Sequence, residues 1–526
     1  MKFFNVTGTC IPHKHYMVDI SSKLAQIKVM VDRGDYFTIN RGRQYGKTTT
    51  LVHLFKFLKN DYIICRMSFE GVGNESFETP KAFCQMFIRQ IYKSLKFANI
   101  ADDDHKSWLN INITDFDKLS DHITKLCQNH RIVLMIDEVD KTSHNQNFLN
   151  FLSVLRSKYL EAQNGFDFTF HSVILAGVYD VKTIKLNLMN QGLHTPMPNE
   201  GVTYNSPWNI AADFKVDMSF SPMEIKTMLD SFETDHQTGM DTDIISRAIH
   251  KYTNGYPFLT SKICKMIHEE LDNHWTTTGV ENAIKQLSRE TNTLFDDLFK
   301  NLENNAGLRD LLYDVLILGK GRSFGYMDPD IVLALRYGYI QEIREKVKVH
   351  NKIFSSVISL YFSLRAKRLN EIPSNMLADA SFSREVTHND TFDMALCLRG
   401  FAKHFREIYT DKHAEMLEDK CRLVFLTYLK PLLNGAGFYD IESQLTDGRR
   451  MDLTVIYGNK RFILELKIWR GDVKHIEAHD QLRGYMDTSG VSDGYLLTFD
   501  FRKERPPTDP CWLELEDGKC IYEVLV

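Results

Sequence analysis

Residues 36–59 read YFTINRGRQYGKTTTLVHLFKFLK: a short apolar run, a polar loop closed by Gly46-Lys47-Thr48-Thr49, and a stretch with apolar residues at helical spacing. A phosphate group requires this order of strand, loop and helix. Backbone N–H groups of the loop and of the first helical turn point at the anion, the lysine reaches the terminal phosphates, and the hydroxyl after it ligates Mg²⁺. Gly42, Gln44, Tyr45, Gly46, Lys47, Thr48 and Thr49 are therefore the candidate nucleotide-contacting residues, with Lys47 and Thr48 in those last two roles. The spacing departs from the usual pattern, in which four residues separate the glycines. Here three residues separate Gly42 from Gly46, and Arg41 stands at the first-glycine position. The expectation is that Gly42 turns the chain one residue late.

A second half-site follows in HRIVLMIDEVDK (130–141), where Ile132 to Ile136 are apolar and Asp137 and Glu138 close the run. A strand buried in a parallel sheet delivers its C-terminal carboxylate to the site's edge. Asp137 is then placed to hold a Mg²⁺ ion and Glu138 to orient the attacking water. With TNGYPFLTSKIC (253–264), these features make residues 15–290 resemble the AAA-type ATPases and the related STAND and archaeal ATPases. The resemblance implies ATP as ligand, with Mg²⁺ or its substitute Mn²⁺, and takes TNGYPFLTSKIC as the Gly-x-Pro segment of a helical lid. Gly177 and Val178 stand where many relatives carry a polar sensor of the γ-phosphate, so a slow switch and a motor both remain open.

The pattern around these motifs gives a domain order. Short apolar runs (YFTIN, DYIICRMSF, RIVLMID, TFHSVILAG) alternate with amphipathic stretches, as in an α/β fold built on a parallel sheet, and set a P-loop NTPase core over residues 1–220. Residues 221–299 become helical, beginning where Ser221 can cap and Pro222 can occupy a first turn, and form the lid. Helices and then two strand-like runs around a polar turn suit a winged-helix-like module at 300–370. The polar stretch 371–391 reads as a linker, and a last α/β domain fills 392–526.

That domain holds LTDGRRMDLTVIYGNKRFILELKIWRG (445–471), three charged side chains inside an otherwise buried strand pair. Gly458-Asn459 reads as a two-residue hairpin turn. Tyr457 then pairs with Lys460, and counting back sets Asp452 across from Glu465. Directly opposed Cβ atoms lie about 4.5–5.5 Å apart, where two carboxylates repel unless a cation neutralises them. Mg²⁺ suits such an oxygen ligand set. Lys467 falls on the same face, placed to orient a water or to stabilise phosphorane charge.

Upstream, AEMLEDKCRLVFLTYLKPLLNGAGF (414–438) reads as a helix whose stripe of Ala414, Cys421, Phe425, Tyr428 and Leu432 includes Glu418, with Glu415 outside it. Downstream, HDQLRGYMD (479–487) puts Gln481 at the start of another helix. Helix with Glu418, strand with Asp452, strand with Glu465-Leu466-Lys467, then helix with Gln481 resembles the PD-(D/E)XK phosphodiesterase superfamily. The whole chain is similar to bacterial proteins that fuse an AAA-like ATPase to such a domain. The resemblance implies a metal-dependent nuclease, with DNA the first candidate partner. Arg449, Arg450, Lys474 and Arg483 are the candidate phosphate-positioning cations, and DFRKERPP (500–507) reads as a solvated turn.

Composition bounds these readings. A formal net charge of −5 excludes a globally basic nucleic-acid binder, so any such contact is local. The 9 cysteines show no CxxC pair, which points to reduced thiols in the cytoplasm. No apolar stretch is long enough for a membrane span, and the 34 Phe and 22 Tyr fall mostly at core spacing. An ATP-controlled nuclease, in defence or mobile-element biology, is the first functional expectation. A STAND-like switch whose nuclease-like domain only binds nucleic acid or protein is the second. Homo-oligomerisation, DNA against RNA, and the arginine finger stay open.

Overall fold

The four apolar runs of the first half become four parallel strands, β1 (Tyr36–Asn40), β2 (Ile63–Ser68), β3 (Ile132–Asp137) and β4 (Ser172–Gly177), in the sheet order β1-β4-β3-β2. Every residue of β3 and β4 is buried, as a sheet covered on both faces demands. β4 is inserted between β1 and β3, and the last pairs in register are Asn40↔Gly177 and Ser68↔Asp137. The C-terminal ends of β1, β4 and β3 therefore lie side by side.

The computed structural model describes residues 2–97, 113–142, 145–177, 208–369, 380–388, 391–408, 418–433, 437–444, 450–458, 460–502 and 509–526, and at Glu418 and Asp452 the backbone alone. Within it the chain divides into two compact units. One comprises Met1–Gln237, Gly255–Lys262 and Arg336–Gly338, and the other Thr238–Asn254, Ile263–Leu335 and Tyr339–Val526.

In the first unit α1 (Lys47–Leu58) leads away from β1, and α2 (Pro80–Phe97), α3 (Phe116–Gln128) and α4 (Gln146–Gln163) complete the layers. Asp115 and Asn145 accept backbone N–H bonds at the starts of α3 and α4, which satisfies donors a helix end otherwise leaves open. The phenylalanines are core residues: Phe83, Phe87, Phe148 and Phe151 are fully buried, with the Phe87 and Phe151 ring centroids 4.6 Å apart. α5 (Pro222–His236) opens as expected, Ser221 and Glu224 forming a reciprocal capping box with Pro222 in the first turn.

Helices Thr242–Thr253, Pro257–Glu269, Thr277–Leu287 and Thr293–Asn304 follow with no strand between them. In the second unit helix Ala306–Leu316 precedes the antiparallel hairpin of β5 (Ile340–Ile343) and β6 (Lys346–Val349), after which α6 (Lys352–Arg368) runs on. Its turn uses Arg344 and Glu345 at φ 50° and 61°, left-handed positions taken without glycine. Of the expected linker, residues 371–379 and 389–390 lie outside the described residues, and Ala380–Val386 is helical.

The C-terminal sheet is built from α7 (Glu418–Leu433), β7 (Gly437–Gln444), β8 (Arg450–Tyr457), β9 (Lys460–Ile468), α8 (Asp472–Ser489), β10 (Asp493–Phe499), β11 (Cys511–Glu514) and β12 (Cys520–Leu525). The strand order is β7-β8-β9-β10-β12-β11. β7, β8 and β9 form an antiparallel meander, and α8 crosses over so that β10 runs parallel to β9. Ile463, Leu496 and Ile521 pack against Ala478, Leu482 and Met486 of α8. On the opposite face Phe499 meets Phe401 and Phe405 at 6.0 and 5.4 Å between ring centroids. Among the described residues no helix is long and apolar enough to cross a membrane.

Candidate functional site

The loop Arg41–Gly46 leaves the end of β1 and enters α1, and Lys47 is the first residue of that helix. Its side chain is buried, and its ammonium donates to the carbonyls of Arg41 (2.9 Å) and Gly42 (3.0 Å). Burial pushes the Lys47 ammonium below its ordinary value, opposed by the carboxylates of Asp140, Glu138 and Asp137. A desolvated cation facing three carboxylates at the ends of β1 and β3 is the arrangement expected around a polyphosphate and its counter-ion.

Asp137 is almost fully buried and accepts the N–H of Glu138 at 3.0 Å. Glu138 sits at φ 56°, a left-handed conformation costly for a residue with a Cβ. Burial raises its carboxyl above the usual range, with Lys47 acting the other way. Asp140, in the turn Val139–Thr142, was not singled out from sequence, although it supplies the strongest carboxylate influence on Lys47. A Cβ at Gly177 would lie 2.7 Å from Asp140 Oδ1 and 2.9 Å from a Val139 methyl, so the glycine at the end of β4 makes room for that turn. Val178 lies outside the described residues.

The expectation for Gly42 is corrected. The left-handed residues of the loop are Gln44 (φ 57°) and Gly46 (φ 76°), and Gly42 is not among them. Gly42 is small for another reason: a Cβ there would meet the Tyr337 carbonyl oxygen at 2.4 Å. Arg41 is tolerated at the first-glycine position because its guanidinium turns aside, donating to the carbonyls of Asn40 (3.0 Å) and Val216 (3.1 Å) and lying 5.5 Å from the Phe214 ring centroid.

Two tyrosines brace the loop. Tyr45 is buried, its hydroxyl 2.6 Å from Ser219 Oγ and its ring edge-on to Tyr256 at 4.7 Å. Tyr256, in the GYP segment singled out from sequence, donates its hydroxyl to the Arg43 carbonyl at 2.7 Å. Gly255 holds this segment at φ 70°, where a Cβ would collide with the Phe220 backbone at 2.0 Å. Thr48 lies partly exposed in the first turn of α1, as a hydroxyl ligand must. The Thr49 hydroxyl accepts the Cys10 N–H at 3.2 Å, which ties the start of α1 to the N-terminal segment. The hydroxyl of Thr48 and the carboxylate of Asp137 are hard oxygen donors of the kind Mg²⁺ takes.

The second constellation forms in part. The hairpin has the expected register, from Tyr457↔Lys460 to Leu453↔Leu464. The paired ladder ends there, one residue short of Asp452 and Glu465 on each strand. Since Ile463 packs on α8, alternation turns Glu465 and Lys467 toward the same face. Glu465 is completely buried, and its Oε1 lies 2.7 Å from the Lys467 ammonium, whose side chain is 29% exposed. Thr498 stands in register with Lys467, its buried hydroxyl without a hydrogen-bond partner among the described residues.

Other expected members are placed differently. Gln481 is not at a helix start: α8 begins at Asp472, so Gln481 lies in its middle and donates its amide to the Tyr485 hydroxyl. The stretch Asp472–Asp480 hides that earlier start, because its larger apolar residues Val473 and Ile476 are exposed and only Ala478 is buried. Glu418 is the first described residue of α7, whose stripe residues Cys421, Phe425, Tyr428 and Leu432 are buried as expected. Lys474 pairs with Glu477 (2.6 Å) and Arg483 with Asp517 (3.2 Å). Arg449 and residues 503–508 of the basic turn lie outside the described residues.

Residues 13–355 match a family model described as the AAA-like domain, which is more than half of the chain. A curated relative, an uncharacterised WD repeat-containing protein of Synechocystis, is 23% identical over 374 residues, 66% of this chain. The chain spans 29% of that relative's length. Similar solved structures include the Walker-type ATPase of Pyrococcus abyssi, at 12% identity and TM-score 0.47 over 68% of this chain and 99% of the other. The ORC2 protein of Aeropyrum pernix, solved in ADPNP–ADP complexes, gives 12% identity and TM-score 0.33 over 68% and 97%.

Proposed function

The chain belongs to the AAA-like domain family and carries an AAA-like P-loop ATPase domain, and from that premise we propose that ATP turnover at Lys47 governs a metal-dependent phosphodiesterase in the C-terminal sheet. The observation that carries the first half is the buried Lys47 ammonium set among Asp137, Glu138 and Asp140. In this reading the loop from Gly42 to Gly46 and the start of α1 bind the phosphates through backbone N–H groups. Thr48 and Asp137 hold Mg²⁺, which when bound neutralises charge between the phosphates. Glu138 orients the attacking water, and its raised carboxyl makes it a better proton acceptor at neutral pH than an ordinary glutamate.

The second half rests on the order α7, β7, β8, β9, α8, β10 with Glu465 and Lys467 on one face. Asp452 and Glu465 would hold a hard divalent ion, and Lys467 would steady the leaving or attacking oxygen of a nucleic-acid phosphodiester, DNA first. Coupling between the halves has a covalent route. Tyr337 approaches the phosphate loop at Gly42, and its chain enters β5 at Ile340. Two tyrosines and one glycine contact thus make loop geometry dependent on the lid segment and on residues 336–338.

A specific observation favours a second reading, in which the C-terminal domain binds without cutting. The Glu465 carboxylate already has its charge partner in Lys467 at 2.7 Å. The test uses supercoiled, linear and single-stranded DNA and an RNA, with Mg²⁺ or Mn²⁺, in the absence of nucleotide and with ADP or ATP. Cleavage that disappears in Asp452→Ala and changes in Lys47→Ala upholds the first reading. Binding without cleavage upholds the second, and cleavage indifferent to nucleotide removes the coupling.

A further inference from the structure

Outside both constellations, three side chains of the C-terminal domain converge on one point. His475 and His479 stand one turn apart on α8, and Glu523 projects from β12. Their approach follows from the fold: Ile521 packs on α8, so alternation turns Glu523 to the same face. Residues four apart on a helix are neighbours on its surface. His475 Nε2 lies 2.7 Å from Glu523 Oε1, His479 Nε2 3.3 Å from Oε2, and the two Nε2 atoms are 3.4 Å apart.

We propose that His475, His479 and Glu523 form a three-ligand site for a divalent transition metal of the zinc class. Four ligands about 2.0–2.1 Å from a tetrahedral ion are separated by roughly 3.3 Å along each edge. The two separations that end on His479 Nε2 have that value, and one ligand atom from each side chain lies within 4.8 Å of the others. The third is a hydrogen bond, which opens when the shared proton is displaced by metal. Two neutral imidazoles with one carboxylate favour zinc over Mg²⁺ or Ca²⁺, which prefer oxygen. The three side chains are 19%, 20% and 11% exposed, buried enough to be ordered and open enough for an ion and a fourth ligand to enter.

The surroundings hold the donors without competing for the charge. Trp469 lies 4.8 Å from the His475 ring, and Arg502 stacks on Trp469 at 4.3 Å while its guanidinium is bound by Asp500 (2.6 Å).

The site is distinct from the Glu465–Lys467 face residues. Glu465 pairs in register with Leu496, and Leu496 with Glu523, so one strand intervenes. At two strand spacings the separation is about 10 Å. A metal here would tie α8, the helix that carries Gln481, to β12. The inference does not depend on whether the domain cuts phosphodiesters.

The test uses the full chain stripped with chelator and held in excess Mg²⁺ to occupy oxygen-rich sites. It is titrated with Zn²⁺ by calorimetry and with Co²⁺ by visible absorption. The expected result is one tight equivalent and the d–d spectrum of a four-coordinate nitrogen–oxygen site. His475→Ala/His479→Ala and Glu523→Gln should each weaken that equivalent by more than about 100-fold. No tight equivalent in the unaltered chain overturns the proposal, as does unchanged affinity in the variants or a sulfur-to-cobalt band assigning the metal to cysteine. If the double variant fails to fold by circular dichroism, Glu523→Gln, which keeps the side-chain volume, decides the matter.

Discussion

At the phosphate loop a cation and an anion are buried together, whereas in the C-terminal sheet the buried charge is an anion alone. Lys47 and Asp137 are both enclosed, with Glu138 and Asp140 half-buried beside them, while Glu465 is enclosed and faces a lysine that is partly exposed. Desolvation penalises whichever charge is buried, and the ligand best able to offset that penalty has the opposite sign. The first site therefore calls for a polyanion together with its counter-cation, and the second for a cation alone, which the chain itself supplies in Lys467. The two regions differ in what they can receive.

Breaking the first half of that comparison gives the largest expected effect. Lys47→Ala removes the buried cation set among Asp137, Glu138 and Asp140 and should lower kcat/KM for ATP hydrolysis by about 10²–10³-fold, in line with loss of a charge-stabilising donor. Steady-state phosphate release checks it. A loss below tenfold would mean that the polyphosphate is neutralised elsewhere.

The second half breaks through stability. Lys467→Ala leaves the Glu465 carboxylate buried without its 2.7 Å partner. Removing one member of a buried pair costs 3–5 kcal/mol in general, and the partial exposure of Lys467 puts the expected cost at the low end, about 3 kcal/mol in a denaturant melt. The double variant Glu465→Met/Lys467→Met should restore most of it, because replacing both partners by apolar groups is close to neutral. Full stability in Lys467→Ala would show that Glu465 is held by something other than the ion pair.

The hairpin register, the parallel strands and the Ser221 cap were all legible because each depends on neighbours in sequence. Gly458-Asn459 determines which residues of β8 and β9 oppose one another, and period-two alternation then decides which face Glu465 and Lys467 share. Gly42 was misread because its requirement is tertiary: the Tyr337 carbonyl comes from a segment almost three hundred residues away by sequence number. Asp140 escaped notice because its approach to Lys47 depends on a tight turn after β3, not on any spacing. The histidines show no metal spacing when read along the chain, because the i,i+4 pair His475 and His479 gains its third member, Glu523, only when the sheet is assembled.

Gly42→Ala sharpens this contrast between local and tertiary glycines. A methyl 2.4 Å from a backbone oxygen forces the loop or the Arg336–Gly338 segment to move, with an expected cost of about 1–3 kcal/mol and weaker ATP binding. Gly46→Ala, with no atom within 4 Å of the added Cβ but φ at 76°, should cost only about 1 kcal/mol through strain. Equal losses would mean that the Tyr337 approach is soft. Tyr256→Phe removes one hydrogen bond to the Arg43 carbonyl and should raise KM for ATP by about fivefold, the equivalent of roughly 1 kcal/mol, with kcat little changed.

The smallest effect lies in the pH profile and turns on Glu138. Its carboxyl is raised by burial, partly offset by Lys47 and raised further by Asp137 and Asp140. A general base works as the carboxylate, so hydrolysis should fall as pH drops through this raised value, at a higher pH than an ordinary glutamate near 4.5 would give. Asp140→Asn takes away one neighbouring negative charge and should move that acid limb to lower pH, whatever it does to the maximal rate. Glu138→Gln should abolish the limb along with most of the rate. The position of the limb separates the two carboxylates by role: a shift with Asp140→Asn and disappearance with Glu138→Gln assigns proton acceptance to Glu138 and field tuning to Asp140. A limb that survives in Glu138→Gln would move the base to another residue, while leaving the requirement for a buried cation at Lys47 intact.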